Sequence, residues 1–109
     1  MALDHAQPLD IINVQPLAGK LQDVKTHSLL KTGKLQLMRL VLAAGQSVPE
    51  HQVPGEITIQ CLEGQAVVST PGTSRTLGAG ELMALPGGEP HALKATTAAS
   101  LLVTILLNP

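Results

Sequence analysis

Short segments in which apolar and polar residues alternate dominate the chain from Leu35 onward. The two clearest are Leu35 to Leu42 and Ile57 to Leu62. A repeat of two residues predicts strands with one face toward a core, whereas an amphipathic helix would repeat every 3.6 residues. Further strands are predicted at short intervals: Gln65 to Thr70, Arg75 to Leu77, Glu81 to Leu85, His91 to Ala95 and Leu101 to Leu107.

Glycine and proline separate these segments, as at Gly64, Pro71-Gly72 and Gly78-Ala79-Gly80. Strands spaced by about 8 to 12 residues with such turns are typical of an all-β sandwich or barrel. The pattern is weaker toward the N-terminus. There we expect a loose tail over residues 1–8, a short edge strand from Leu9 to Val14, and a weak strand from Leu21 to Leu30. Residues 43–47 and 95–100 are predicted to be connections.

Composition narrows the possible functions. A chain of 109 residues predicts one domain, 1–109. It contains no Phe, Trp or Tyr, so it offers no platform for stacking a nucleic-acid base. A net charge of −1 does not favour nucleic acid or a membrane surface as partner.

The single cysteine, Cys61, allows no intrachain disulfide, and the N-terminal residues lack a signal-peptide pattern. We therefore expect a cytoplasmic protein.

Two histidines, His51 and His91, lie in turns rich in proline and glycine, each next to a predicted strand. Neutral imidazoles can bind metals or form hydrogen bonds, and many histidines in β-proteins only bond to the backbone. Gln60 offers an amide, but strand alternation puts it on the outward face. Cys61 has inward parity, which favours a small core residue over a metal ligand. Glu63 is predicted to face solvent.

The spacing around these histidines resembles the two sequence motifs of the cupin family. Gly45, five residues, His51 and then Gly64 are similar to the first motif. Gly80, five residues, Pro86, Gly88, two residues and His91 are similar to the second. The two motifs span residues 45–95, and the string from His51 to Gly64 is also similar to a group of short bacterial cupins. The resemblance implies an all-β, double-stranded jelly-roll barrel, but it does not select one function, because cupins serve many.

Cupin metal sites normally use three histidines and a glutamate. By resemblance, His51 matches the first ligand and His91 the last, but Val53 and Ile57 stand where the second histidine and the glutamate belong. Glu56 is one position early, and one step along a strand turns a side chain to the other face. A site of His51, His91 and Glu56 for Fe, Zn, Ni or Mn requires the turn at residues 54–55 to rotate that carboxylate inward.

Two functions remain open from the sequence. One is a protein that binds a small organic ligand inside the barrel through His51, Gln60 and His91, with a degenerate or absent metal site. The other is a divalent-metal-dependent enzyme of dioxygenase or isomerase type that uses His51 and His91. Whether the protein is an enzyme is left undecided. Because a small core gains from association, we also expect a homodimer.

Overall fold

The structure, a computed structural model, describes residues 5–108. Within them lie one 3₁₀ helix, Ala18–Asp23, and nine strands. The strands are β1 (His27–Lys31), β2 (Leu35–Leu42), β3 (Ser47–His51), β4 (Ile57–Glu63), β5 (Gln65–Thr70), β6 (Thr73–Gly78), β7 (Leu82–Leu85), β8 (His91–Ala95) and β9 (Ala99–Leu106).

The strands form two antiparallel sheets that share one aliphatic core. The five-stranded sheet has the order β1-β2-β9-β4-β7, and the four-stranded sheet has the order β3-β8-β5-β6. Both sheets contribute buried side chains to the space between them, with Ile59 and Leu101 from one and Val68 and Leu93 from the other. The predicted all-β jelly roll is therefore confirmed, although over residues 5–108 the two sheets are not closed into a continuous barrel.

Alternation along the strands decides which side chains reach the core. In β4, Ile57, Ile59 and Cys61 are buried, whereas Thr58 and Gln60 are only partly covered. The same alternation over β2 sends Met38 and Leu40 toward the core cluster and leaves its other face to the outside of the sheet. Because side chains of a strand alternate between the two faces, the pattern in the sequence also fixes which residues can line a cavity between the sheets.

Two local predictions are wrong, and a third is confirmed only in part. Leu9 to Val14 forms no strand: Leu9 and Ile11 are fully exposed, and Leu9 has a φ of 79° in a turn closed by Asp10. The segment from Leu21 to Leu30 divides into the end of the 3₁₀ helix and β1. β3 lies in a stretch for which no strand was predicted, because its proline and exposed polar residues resemble a loop. Proline is compatible with β3 because that strand lies at a sheet edge.

An N-terminal strap, residues 6–18, crosses the outer face of the five-stranded sheet. The Ala6 N–H donates to the Leu29 carbonyl on β1, and the Arg39 guanidinium donates to the Gln15 carbonyl at 2.9 Å. The N–H groups of Leu17 and Ala18 both donate to the Glu63 carboxylate. Part of the predicted N-terminal tail, residues 1–4, lies outside the described residues. No helix within residues 5–108 is long and apolar enough to cross a membrane.

Candidate functional site

A cavity of about 180 Å³ lies between the two sheets, at the end where both predicted histidines are found. Eight of its ten lining side chains are apolar, and the two histidines are the only polar ones. No lining residue carries a carboxylate, an ammonium or a guanidinium group. The cavity is lined by Met38, Leu40, Val48, His51, Ile57, Ile59, His91, Leu93, Val103 and Ile105.

The pairing of β3 with β8 brings the two histidines together. His51 ends β3, His91 begins β8, and the two residues are direct partners across the antiparallel ladder. A register irregularity between Val48 and His51 precedes this pair. The ring centroids are 4.3 Å apart and the ring planes are tilted by 57°. His91 is buried with 3% of its surface exposed, whereas His51 is exposed, so the pair joins the interior to the surface.

Each ring is anchored by its own backbone. His51 Nδ1 lies 3.0 Å from the Pro49 carbonyl oxygen, and His91 Nδ1 lies 2.9 Å from that of Glu89. A carbonyl oxygen can only accept a hydrogen bond, so both Nδ1 atoms must donate. For a neutral ring, this geometry assigns the Nδ1–H tautomer, and Nε2 is then an acceptor with no hydrogen-bond partner among residues 5–108.

Two turns next to the histidines are held together through their backbones. The Gly88 N–H donates to the Val53 carbonyl at 2.8 Å. A Cβ atom on Gly87 would overlap the Pro54 carbonyl oxygen. We call these contacts between residues 53–55 and 87–88 the turn clasp. Gly55 also approaches a different backbone, because a Cβ atom there would overlap the carbonyl oxygen of Leu106 at the end of β9. Only glycine permits such close backbone approach, which explains the glycines at positions 55 and 87.

Two other predicted site residues lie outside the cavity. Glu56 is exposed and does not line it, and Gln60 lies on the opposite face of β4 from the lining residues Ile57 and Ile59. Nothing among residues 5–108 brings three or more His, Cys, Asp or Glu side chains together as a metal-holding group. The residues present therefore do not fit the four-ligand metal site implied by the resemblance, because Ile57 contributes an aliphatic wall in place of a carboxylate.

Cys61 is a core residue in this arrangement. It is fully buried, and its thiol lies 3.4 Å from the carbonyl oxygens of Glu63 and Gly64. Burial raises the pKa of the Cys61 thiol, and the negative charges of Glu81 and Glu63 act in the same direction. The thiol therefore stays protonated and is a poor nucleophile or metal ligand.

Glu63, predicted to face solvent, is instead half-buried under the strap. Its carboxylate accepts hydrogen bonds from Ser100 Oγ at 2.6 Å and from the N–H groups of Leu17 and Ala18 at 2.7 and 2.9 Å. Burial opposes ionisation, but these three hydrogen bonds and the charge of Arg39 outweigh it, so the pKa of Glu63 lies below its usual range. The prediction failed because a β-bulge next to Glu63 and the covering strap are not visible in local alternation.

A larger depression of about 620 Å³ lies elsewhere, between residues 21–26 and the turn that follows β2. It is more open than the histidine cavity, and no histidine, cysteine or carboxylate lines it. The histidine cavity is smaller, but it combines an aliphatic wall with two oriented imidazoles. A few placed polar groups in an apolar pocket are typical of small-molecule sites, so we take the histidine cavity as the candidate site.

Comparison with known proteins agrees with this architecture. The sequence model of a family described as "Cupin domain" matches residues 38–105. No curated protein matches the chain at a significant level. A solved cupin superfamily protein from Desulfitobacterium hafniense has a TM-score of 0.78 and 19% identity, over 94% of this chain and all of that one.

Two further solved structures are similar over almost their whole length. A conserved protein of unknown function from Streptococcus pyogenes has a TM-score of 0.77 and 22% identity, over 100% of this chain and 99% of that one. An RmlC-like cupin from Desulfovibrio desulfuricans has a TM-score of 0.69 and 22% identity, over 95% and 96% of the two chains. At these identities the likeness establishes the fold and says nothing about the ligand.

Proposed function

Because the chain belongs to the cupin family, with the domain match covering residues 38–105, we propose that it binds a small organic molecule in the cavity between its sheets. His51 and His91 form the polar end of this site, and the aliphatic side chains around them enclose the body of the ligand. The proposal places Gln60 outside the ligand contacts, since its side chain is on the other face of β4.

One observation carries this proposal: two imidazoles with their Nδ1 atoms occupied lie at an otherwise wholly apolar cavity. Every buried side-chain nitrogen or oxygen atom among residues 5–108 has a hydrogen-bond partner, so His91 Nε2, which has none there, keeps contact with solvent-accessible space although the residue is only 3% exposed. A ligand that bonds to the Nε2 atoms and fills the aliphatic space would use both features of the cavity. An apolar pocket with a few placed polar groups is typical of small-molecule binding sites.

A divalent-metal-dependent enzyme is the second candidate, and the free Nε2 atoms of the same histidine pair are what favour it. It is less well supported, because Glu56 is exposed and Ile57 occupies the position of the family glutamate. Elemental analysis of gently purified protein distinguishes the two functions. Stoichiometric iron, zinc, nickel or manganese that is lost in both His51→Ala and His91→Ala would favour the metal enzyme over the metal-free binding protein.

The binding function is tested with toluene, an apolar probe close in size to the cavity, since benzene occupies an engineered cavity of about 150 Å³. We expect saturable shifts of the ¹³C-methyl resonances of Ile57, Ile59 and Val103 as toluene is added. The aromatic ring of toluene shifts nearby methyl resonances through its ring current. The chain has no Phe, Trp or Tyr, so the histidine rings are its only own source of such ring-current shifts.

A matched pair of variants locates the binding. Val48→Phe adds a ring to a cavity-lining residue, whereas Val67→Phe adds the same ring to β5 on the face opposite the buried Ala66 and Val68. We expect Val48→Phe to weaken toluene binding by about tenfold or more, since it removes the space that the probe fills. Val67→Phe should bind toluene like the wild type. Absence of saturable shifts in the wild type would refute the proposed function.

A further inference from the structure

The hydrogen-bonding state of the two histidines restricts what the cavity can hold. Both Nδ1–H groups are used by the backbone carbonyls of Pro49 and Glu89. Each neutral ring then offers one remaining polar atom, Nε2, and that atom can only accept. With neutral rings, the polar end of the cavity is a pair of acceptors with no donor between them.

The rest of the cavity supplies no compensating group. Its other lining side chains are aliphatic or thioether groups, and none of them donates a hydrogen bond or carries a charge. A carboxylate ligand would meet two acceptors and no donor. An ammonium ligand would donate well, but its charge would be removed from water with no carboxylate nearby, which is expensive.

We propose that the ligand is a small neutral alcohol whose hydroxyl donates to the His51–His91 pair and whose hydrocarbon body lies against the aliphatic wall. This inference rests on the proposed function, because it specifies the chemistry of the molecule in the same cavity. A hydroxyl on a body of roughly benzene size satisfies an Nε2 acceptor without bringing a net charge inside.

Four probes with the same ring and different heads test this inference: toluene, benzyl alcohol, benzoate and benzylammonium. Dissociation constants are measured from methyl shifts at pH 8, a pH at which free imidazole is mostly neutral. We expect benzyl alcohol to bind at least about tenfold more tightly than benzoate or benzylammonium, because burying an uncompensated charge costs more than burying a hydroxyl. Toluene serves as the reference for the hydrocarbon body alone.

Histidine variants isolate the hydrogen bond from the rest of the contact. In His51→Leu, the affinity of benzyl alcohol relative to toluene should fall about five- to tenfold, the net value of one hydrogen bond. His91→Leu should act in the same direction. His27→Leu is the matched control, because His27 Nδ1 also bonds to the carbonyl two residues earlier, that of Lys25, but the ring does not line the cavity. This control should leave the ratio unchanged.

The outcomes separate the two proposals. If toluene binds but benzoate binds most tightly, or if the alcohol-to-toluene ratio is unchanged in His51→Leu, the alcohol inference is wrong while the binding cavity stands. If no probe produces saturable shifts, the proposed function fails and the alcohol inference fails with it. Because His51 is exposed, we expect His51→Leu to fold like the wild type, so its effect on binding can be measured.

Discussion

The Glu63 carboxylate is the point at which the N-terminal strap is fixed to the five-stranded sheet. It accepts from two consecutive backbone N–H groups of the strap, those of Leu17 and Ala18, and from the hydroxyl of Ser100 on β9. Arg39, a residue with 3% of its surface exposed, donates from its guanidinium to the Gln15 carbonyl of the same strap. One acidic side chain thus satisfies three donors that would otherwise lose their partners.

Replacing Glu63 by Gln should destabilise the protein at neutral pH by about 2 kcal/mol, in the range of a charge-assisted hydrogen bond. Because the amide nitrogen cannot accept, one of the donors at Leu17, Ala18 or Ser100 loses its acceptor. The measurement is urea unfolding of wild type and variant between pH 3 and pH 8. Glu50→Gln, on an exposed carboxylate of β3, is the control and should change the unfolding free energy by less than about 0.5 kcal/mol.

The pH dependence of this difference follows from the lowered pKa of Glu63. A depressed pKa in the folded state contributes stability that is complete above the unfolded value, here 4.5, and is lost as the pH falls through the folded value. The gap between wild type and Glu63→Gln should therefore be constant above about pH 5 and narrow below pH 4.5. A gap that widens on acidification would contradict the assigned hydrogen bonds.

The sequence allowed only part of the site to be predicted. The histidine pair was identified from its spacing and turns, and the structure brings both rings to one cavity. Glu56 and Gln60 were also candidates, but period-two alternation is regular from Ile57 to Cys61, without the local distortion that either would need to turn inward. Glu63 was missed as a structural residue because its partners lie 37 to 46 positions away in the chain.

Strand prediction succeeded where alternation was strong and failed where an element is defined by its neighbours. β2, β5 and β8 have the predicted bounds, since each places aliphatic residues on a buried face. β3 is recognisable only by its pairing with β8. The segment from Leu9 to Val14 has strand-like composition, but no strand of either sheet pairs with it. Propensity is a weak guide when the decisive hydrogen bonds are long-range.

The turn clasp links two elements that the site requires to be fixed relative to each other. Gly87→Ala would drive a methyl group into the Pro54 carbonyl oxygen. We expect a loss of about 1–3 kcal/mol of stability and a change in the ring resonances of His51 and His91. Denaturant unfolding and histidine-selective NMR provide the two measurements.

Gly33→Ala is the control for this substitution, since a Cβ there meets no atom within 4 Å and its φ is not in the left-handed region. It should change the unfolding free energy by no more than about 0.5 kcal/mol and leave both rings unaffected. If Gly87→Ala behaved like Gly33→Ala, the clasp would have no role in holding the two turns together.

At the scale of the whole molecule, a small aliphatic core is combined with large apolar side chains on the surface. Leu9 and Ile11 on the strap, Leu82 on β7 and Leu106 on β9 are the exposed large aliphatic residues of the described chain. A short chain gains stability by burying such surface against a second copy. The homodimer expected from the sequence therefore stays our proposal, now with the strap as its contact.

Sedimentation equilibrium should give the wild type twice the mass of one chain at micromolar concentration. The double variant Leu9→Ser and Ile11→Ser should shift the distribution toward the monomer, because it removes two exposed aliphatic groups. Ala44→Ser, at an exposed position in the turn after β2, should sediment like the wild type. A wild-type protein that is monomeric throughout would refute the dimer.

The position of β3 at the sheet edge also has a consequence for rates. It pairs with one strand only, and its register with β8 is interrupted just before His51. An edge strand with few hydrogen bonds to its neighbour unfolds locally at a lower free-energy cost than a central strand. β9, for example, has a paired strand on both sides. A molecule too wide to pass His51 directly would enter when β3 lifts from β8. Its residence time would then be set by this local opening, while its affinity would be set by the closed cavity.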